Sequence, residues 1–160
     1  RTKKKLHNLL IGYNTGTEFN DKAGFLERYP GDDVVDIISF DTYERGNTTV
    51  DNRFVTQLKQ RLTIIEDVAK EKNKIAALGE IGFSKVPYAT WWTSILAPAL
   101  KGHRFAYVLL WRNAGFKPSE NETEYYVPYK GQVSEKDFLE FYKLPETLFQ
   151  KEATQLKLYN

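Results

Sequence analysis

Four apolar runs alternate with segments of helical periodicity, and this alternation constrains the fold more than any other feature of the chain. The runs are Leu6–Tyr13, Val34–Tyr43, Lys74–Ile81 and Arg104–Trp111. Strands that are covered on both faces read as near-continuous apolar segments, as in buried parallel sheets. The four runs therefore predict a parallel sheet.

Helices are predicted between these runs. The longest, Val50–Lys72, carries apolar residues at three- and four-residue spacing, which gives the helix one apolar face. Those residues are Phe54, Leu58, Leu62, Ile65 and Ala69. The shorter predicted helices are Lys22–Tyr29, Tyr88–Leu100, one that begins near Ser134 with Asp137 as its capping partner, and Glu146–Leu156. Strands that alternate with helices predict right-handed βαβ units.

The alternation continues over residues 1–160 without a shift in composition, so we predict one domain with no internal boundary. Four βα units fall short of a closed eight-stranded barrel, which needs about 200–250 residues. A small doubly wound sheet and half of a barrel both fit the pattern. Only the residues at the strand ends distinguish these two architectures.

The composition of the chain argues against several classes of binding site and partner. There is no cysteine, and the two histidines, His7 and His103, lie far apart, so a metal site is not expected. The net charge is +2 and the only basic run is Arg1–Lys5, whereas nucleic-acid-binding proteins concentrate positive charge on one face. No glycine-rich phosphate loop is present, and no apolar run reaches the ~20 residues of a membrane span. We therefore expect no metal or organic cofactor, no nucleic-acid partner and no membrane span.

Polar and aromatic residues cluster where the predicted strands end. They are Tyr13-Asn14, Asp41–Glu44, Glu80 and Trp111–Asn113. In parallel βα folds the carboxyl ends of the strands meet on one side, where functional residues gather. Carboxylates can attack or protonate a sugar, tyrosine and arginine can bind its oxygens, and tryptophan can stack on its apolar face. This set is typical of a polysaccharide cleft.

Glu80 is the strongest candidate for catalysis. A glutamate at a strand end is most often simply exposed to solvent. Here the preceding residues, Ile75–Gly79, are small or apolar and allow other groups to come close. Because the other three strand ends are also polar, we predict that Glu80 is a catalytic carboxylate.

Four motifs in order along the chain resemble glycoside hydrolase family 26, whose best-known members are endo-β-1,4-mannanases. They are YPGDDVVDIISFDTYERG, ALGEIG, WWT and YVLLWRNAG. The resemblance runs from about His7 to Ala114. It implies the C-terminal half, strands five to eight, of a TIM (β/α)8 barrel, and retaining hydrolysis of mannan, galactomannan or glucomannan.

The resemblance also implies individual roles at the site. Glu80 corresponds to the nucleophile on the seventh strand. Asp41 and Tyr43 correspond to residues that contact the sugar at the cleavage site, and the tyrosine also hydrogen-bonds the nucleophile. Trp111 corresponds to the aromatic platform beneath that sugar.

Further residues are implied with less detail. Arg112 and Asn113 extend the tryptophan motif and are expected to bind substrate, and Tyr13 is expected to face the cleft from the fifth strand. Of the two tryptophans after the nucleophile strand, Trp91 and Trp92, one is expected to pack against the barrel and the other to line the cleft.

The chain departs from the family in one respect. The general acid/base of the family is a glutamate on the fourth strand, preceded by histidine, and these 160 residues contain no such segment. The isolated chain is therefore expected to be nearly inactive. A half-barrel would leave open sheet edges, so we expect the N-terminal half of the barrel or a second copy as its partner. Because the substrate is a polymer, the resemblance implies a secreted, periplasmic or cell-surface location.

Other functions remain open. A hydrolase of the same family that acts on another β-glucan or on xylan would keep the chemistry and change the sugar. A non-catalytic carbohydrate-binding fragment would use Trp111 and the tyrosines, but it would not need a carboxylate at Glu80. A flavodoxin-like domain also fits the alternation, although Tyr13–Gly16 is a poor phosphate loop.

Overall fold

A parallel four-stranded sheet forms the centre of the molecule. The computed structural model describes residues 8–44 and 52–156. The strands are β1 (Gly12–Thr15), β2 (Ile37–Glu44), β3 (Ile75–Phe83) and β4 (Val108–Leu110), and they lie side by side in chain order. All three neighbouring pairs are parallel, which confirms the predicted α/β class.

The helices lie between and after the strands. They are α1 (Lys22–Leu26), α2 (Asn52–Lys72), a π-helix (Trp92–Leu96) that continues into α3 (Ala97–Leu100), α4 (Glu135–Tyr142) and α5 (Gln150–Gln155). The predicted elements exist, but several are shorter than expected. The predicted starts of the first strand at Leu6 and of the long helix at Val50 lie outside the described residues.

The apolar face of α2 packs against β2 and β3. The five residues that carried the helical spacing are all buried, with exposed fractions between 0% and 9%: Phe54, Leu58, Leu62, Ile65 and Ala69. The facing side of the sheet contributes Ile38, Phe40 and Leu78, each fully buried. The periodicity of this segment therefore identified the core correctly.

The π-helix has a local cause in Pro98. A proline has no N–H to donate to the carbonyl four residues earlier, and its ring crowds that carbonyl. The backbone before Pro98 widens accordingly, so that the N–H of Ala97 donates to the carbonyl of Trp92, five residues back.

The start of α4 is tied to the π-helix rather than capped by its own side chains. Ser134 is the first flanking residue of α4, but its hydroxyl makes no capping bond. Instead it accepts from Trp92 Nε1 at 3.1 Å and donates to Gln132 Oε1 at 2.7 Å. The carboxylate of Asp137 accepts from the N–H groups of Trp92 at 2.9 Å and Thr93 at 3.1 Å. The prediction of a Ser134–Asp137 capping pair is therefore wrong in its partners, although the helix begins where expected.

A short hairpin begins before Lys117 and extends into the polar segment that follows β4. Its antiparallel strands are β5 (Gly115–Lys117) and β6 (Glu122–Glu124). Each strand has only three residues and β6 has no apolar residue, so neither carries the alternation that identifies a strand.

Both edges of the four-stranded sheet are open within the part of the chain that the structure describes. β1 pairs only with β2, and β4 pairs only with β3. Apolar side chains are exposed beside these edges, including Leu10 at 66% and Leu109 at 43%. A cleft of about 760 Å³ lies between β4 and the C-terminal helices, with Phe105, Val108 and Phe149 among its lining residues.

Candidate active site

A register shift between β2 and β3 determines which way Glu80 points. Phe40 pairs with Leu78, whereas the next residue on β2, Asp41, pairs with Glu80, so Gly79 is the extra residue of a β-bulge. Side chains alternate between the two faces of a strand, and Leu78 lies in the buried core. In a regular strand Glu80 would share that face. The bulge re-aims Glu80 to the face on which Asp41 lies.

Tyr43 and Glu80 form the central contact of this face. The Tyr43 hydroxyl donates a hydrogen bond to Oε2 of the half-buried Glu80 carboxylate. Burial raises the pKa of the Tyr43 phenol, and the hydrogen bond to Glu80 and the charge of Glu80 raise it further. The phenol therefore keeps its proton at neutral pH. A donor held in this way fixes the orientation of the carboxylate.

Asp41 lies beside Glu80 in a crowded, partly buried position. Burial raises the pKa of the Asp41 carboxyl, a hydrogen bond from Asn14 opposes the rise, and the charge of Glu80 adds to it. The Oδ1 atom of Asp41 is buried, and no group in the described ranges donates a hydrogen bond to it. A Cβ at Gly79 would lie 2.7 Å from this oxygen and would overlap the Asn14 amide. A side chain at position 79 would therefore displace Asn14 and Asp41.

Trp111 and Arg112 lie at the same end of the sheet. The N–H of Trp111 donates to the carbonyl of Ile81 at 2.9 Å. Trp111 therefore lies just after the end of β4 and beside Ile81, the residue that follows Glu80. The Arg112 guanidinium lies 5.5 Å from the centroid of the Trp111 ring, and its Nη1 is 3.6 Å from Glu124 Oε1. Trp111 is half-buried and Arg112 is exposed. An aromatic face and a cation thus accompany the carboxylates.

Asn113 supports a loop. Its Oδ1 accepts from the N–H groups of Tyr126 at 2.9 Å and Val127 at 3.0 Å, and its Nδ2 donates to the Val127 carbonyl at 2.8 Å. The side chain is therefore engaged by the segment after β6. The structure thus shows Asn113 holding this loop in place.

Tyr13 does not join the carboxylates. Its hydroxyl donates to the carbonyl of Phe25 at 2.9 Å, and its ring packs edge-on against Phe25 and Tyr29, both at 5.3 Å between centroids. Successive side chains of a strand point to opposite faces, so Asn14 takes the face of Asp41. The expectation that Tyr13 faces the cleft is therefore corrected, and Asn14 is the residue of β1 at the site.

The aromatic residues at and after the end of β3 pack in the core. Trp91 and Trp92 are 1% and 0% exposed, and their rings meet at 4.7 Å between centroids. The expectation that one of them lines the cleft is wrong, since both pack in the core. Phe83 is also buried, 6.0 Å from the Trp91 ring.

The described residues contain no group of three or more His, Asp or Glu side chains arranged to hold a metal ion. No helix in the described ranges has the length and apolar character that crossing a membrane requires. The cleft beside β4 does not include Glu80, Tyr43 or Asp41 among its lining residues. The carboxylates therefore lie apart from this cleft.

Residues 1–124 match the sequence model of glycosyl hydrolase family 26. The chain belongs to this family. A mannan endo-1,4-beta-mannosidase of Bifidobacterium adolescentis is 32% identical over an alignment 154 residues long. The alignment covers 88% of this chain and 15% of that protein. The chain thus spans a small part of this curated relative.

Solved structures of family 26 proteins agree with the fold. A GH26 β-mannanase from Bacteroides ovatus is 38% identical and superposes with a TM-score of 0.82, covering 92% of this chain and 41% of that chain. The catalytic domain of a GH26 endo-β-1,4-mannanase from a Bacillus species is 31% identical with a TM-score of 0.78, and the same shares of the two chains are covered. The fold of this family 26 chain is therefore similar to about two fifths of each mannanase structure.

Three residues of the site were missed in the sequence. Asn14 stands beside Tyr13 at a predicted strand end, and no local pattern shows which of the two faces the site. Gly79 is recognisable in the sequence only as a small residue, whereas the structure places it between Asn14 and Asp41. Tyr126 lies in a segment without periodicity, and no signal in the sequence connects it with Tyr43, which its ring contacts.

Proposed function

We propose that this chain is the C-terminal half, strands five to eight, of the (β/α)8 barrel of a retaining glycoside hydrolase, and that Glu80 is its nucleophile. The observation that carries this proposal is the hydrogen bond from Tyr43 to Glu80 on the bulged strand. A half-buried phenol that orients a carboxylate at a strand end is expected of a nucleophile that must attack one carbon atom.

In the proposed reaction the Glu80 carboxylate attacks the anomeric carbon of the sugar and the glycosidic bond breaks. The leaving oxygen takes a proton from a carboxylic acid, and a covalent glycosyl-enzyme forms. Water then attacks the same carbon, the acid residue accepts its proton, and the Glu80 carboxylate is released. Two inversions give a product with the original anomeric configuration.

The proposed substrate contacts follow from the positions around Glu80. Asp41 and Asn14 lie on its β1 side and would bind sugar hydroxyls. Trp111 would stack beneath the sugar at the cleavage site. Arg112, which is exposed beside that ring, would bind oxygens of the next sugar.

The acid/base is proposed to come from the N-terminal half of the barrel. A retaining enzyme places its two carboxyl groups about 5–5.5 Å apart. Asp41 is the acidic neighbour of Glu80 in the sheet, but its close fit with Asn14 and Gly79 suits sugar binding better than proton transfer. The open edges of β1 and β4 and the apolar cleft beside β4 are the surfaces that the other half would cover.

The proposed substrate is β-1,4-mannan, galactomannan or glucomannan, because the relatives named above are mannanases. A polymer of this kind lies outside the cytoplasm, so we propose a secreted, periplasmic or cell-surface enzyme. The test uses the complete barrel, which is this chain and its N-terminal half in one polypeptide. Reducing ends released from mannans, a β-1,4-glucan and xylan are compared for the parent and for Glu80→Gln.

The proposal predicts that mannans are hydrolysed with retention and that Glu80→Gln lowers kcat by about a thousandfold or more. The exposed Glu120→Gln serves as the matched control and leaves kcat unchanged. Hydrolysis of xylan or β-glucan in preference to mannan would show that this family 26 hydrolase acts on a different polysaccharide. Full activity of Glu80→Gln would contradict the assignment of the nucleophile.

A further inference from the structure

Tyr126 packs against the tyrosine that holds Glu80. Its ring lies 5.4 Å from the ring of Tyr43 between centroids, with an interplanar angle of 59°. Tyr126 belongs to the segment that follows the β5–β6 hairpin, far along the chain from β2. Tyr43 therefore has a neighbour that belongs neither to its own strand nor to β3.

The position of Tyr126 is fixed through its backbone. Asn113 accepts from the N–H groups of Tyr126 and Val127 and donates to the Val127 carbonyl, at distances of 2.8–3.0 Å. On the other side, the carbonyl of Tyr125 accepts from the N–H of Lys85 at 2.8 Å. These bonds attach the segment to the residues that follow β4 and to those that follow β3.

Gly82 provides the space in which the Tyr126 ring lies. Gly82 is the partner of Tyr43 in the sheet. A Cβ at this position would lie 2.5 Å from Cδ1 of Tyr126, closer than side-chain carbons approach without displacement. The Tyr126 ring thus lies over the bare backbone of Gly82, immediately beside Tyr43.

The hydroxyl of a tyrosine moves with its ring, so the direction of its hydrogen bond depends on how firmly the ring is held in place. Exposed aromatic rings move between rotamers on fast timescales, and packing against a second ring restricts them. Misplacement by about 1 Å at a catalytic group can cost roughly a hundredfold in rate. The ring contact between Tyr126 and Tyr43 therefore acts directly on the geometry of the Tyr43–Glu80 hydrogen bond.

We propose that Tyr126, held by Asn113 and seated over Gly82, is a positioning residue that sets the orientation of Tyr43 and hence of Glu80. The ring carries this role, and the Tyr43 hydroxyl donates the hydrogen bond to Glu80. The effect on turnover rests on the proposed function, whereas the effect on Tyr43 does not.

The experiment compares Tyr126→Ala, Tyr126→Phe and Gly82→Ala in the complete barrel. Two quantities are measured for each: kcat and KM on soluble galactomannan, and the 13Cζ NMR resonance of Tyr43 in tyrosine-labelled protein, assigned with Tyr43→Phe. Gly82→Ala displaces the Tyr126 ring without deleting it. It therefore tests the proposal even if the alanine variant at position 126 folds poorly.

The expected results are a fall in kcat of about 10- to 100-fold for Tyr126→Ala and Gly82→Ala with little change in KM, and a shift of the Tyr43 resonance in both. Tyr126→Phe keeps the ring, so its kcat and its Tyr43 resonance are expected to stay near the parent values. A rise in KM at unchanged kcat, an unmoved Tyr43 resonance, or a phenylalanine variant as impaired as the alanine variant would overturn the proposal. A moved resonance in a barrel that hydrolyses no polysaccharide would uphold the positioning role and contradict the proposed function instead.

Discussion

The Tyr43 hydroxyl donates its hydrogen bond to Glu80 across two neighbouring parallel strands, and the bulge at Gly79 makes this possible. The two residues are 37 positions apart in the chain. Without the register shift, Glu80 would point into the core with Leu78. The contact between Tyr43 and Glu80 therefore depends on one extra residue in one strand.

Tyr43→Phe removes this hydrogen bond and leaves the ring in place. Because a hydrogen bond to a charged group is worth about 1.5–3 kcal/mol, kcat of the complete barrel is expected to fall about 10- to 100-fold. Steady-state kinetics on galactomannan measure the change.

The control for this variant is Tyr142→Phe, which removes a second tyrosine–glutamate hydrogen bond, to Glu152 in the C-terminal helices. That pair lies on α4 and α5, away from the sheet ends, so kcat is expected to stay at the parent value. A Tyr43→Phe variant as active as the control would show that the hydrogen bond from Tyr43 to Glu80 does not contribute to turnover.

Gly79→Ala tests the close approach of β1, β2 and β3 at the bulge. The added Cβ would overlap Asn14 and crowd Asp41. Overpacking of this kind typically costs about 1–3 kcal/mol, so the free energy of unfolding is expected to fall by that amount. Urea denaturation of the complete barrel measures it.

Gly12→Ala on β1 is the matched control, because a Cβ there meets nothing within 4 Å. Its effect is expected to stay within about 1 kcal/mol and to be neutral or stabilising, since alanine restricts the unfolded chain. Equal losses for the two variants would mean that the bulge does not require glycine.

Much of this architecture follows from sequence periodicity, and the parts that do not are local. Val34–Tyr43, Lys74–Ile81 and the helix over Val50–Lys72 have strong patterns because burial selects their residues along their whole length. The bulge at Gly79 depends on the approach of Asn14 and Asp41 from other strands, which no local pattern records.

The error at Tyr13 has the same origin. Both Tyr13 and Asn14 stand at a strand end, and the face that each occupies depends on register, since a shift of one residue reverses the two faces. The β5–β6 hairpin is not predictable from the sequence, because three-residue strands are too short to show an apolar alternation. The type of each main element was thus predictable, whereas register and the loop that brings Tyr126 to Tyr43 were not.

Asp41→Asn should make the protein more stable at neutral pH. Burial raises the pKa of Asp41 in the folded state, so charging this carboxyl costs stability as the pH rises through and above about 4. The asparagine side chain of the variant does not ionise, so its stability does not fall in this way as the pH rises. The difference in Tm between the variant and the parent is therefore expected to be small near pH 4 and to grow toward pH 7.

Asp67→Asn on the exposed side of α2 controls for the loss of one negative charge. Thermal melts of the three proteins across this pH range make the comparison. A Tm difference for Asp41→Asn that matches that of the control, or that shrinks as the pH rises, would contradict the expected effect of burial.

The isolated 160-residue chain is expected to self-associate, because β1 and β4 each have an unpaired edge in the described structure and carry exposed apolar neighbours. Leu109→Lys places a charge on β4 and should weaken this association. Leu156→Lys, at a similarly exposed leucine after α5, should not. Light scattering over a wide concentration range measures the mass, and a stable monomer for the unmodified chain would count against an open half-barrel.

The most direct test of the account is to find the residue that becomes covalently attached to sugar. The complete barrel is incubated with a 2-deoxy-2-fluoro mannosyl fluoride, in which the fluoride at the anomeric carbon leaves readily and the second fluorine slows hydrolysis of the adduct. Peptide mass spectrometry then locates the sugar. We expect one fluoromannosyl ester, on Glu80, that is absent in Glu80→Gln. An ester on Asp41 or on any other residue would contradict the assignment of Glu80 as the nucleophile.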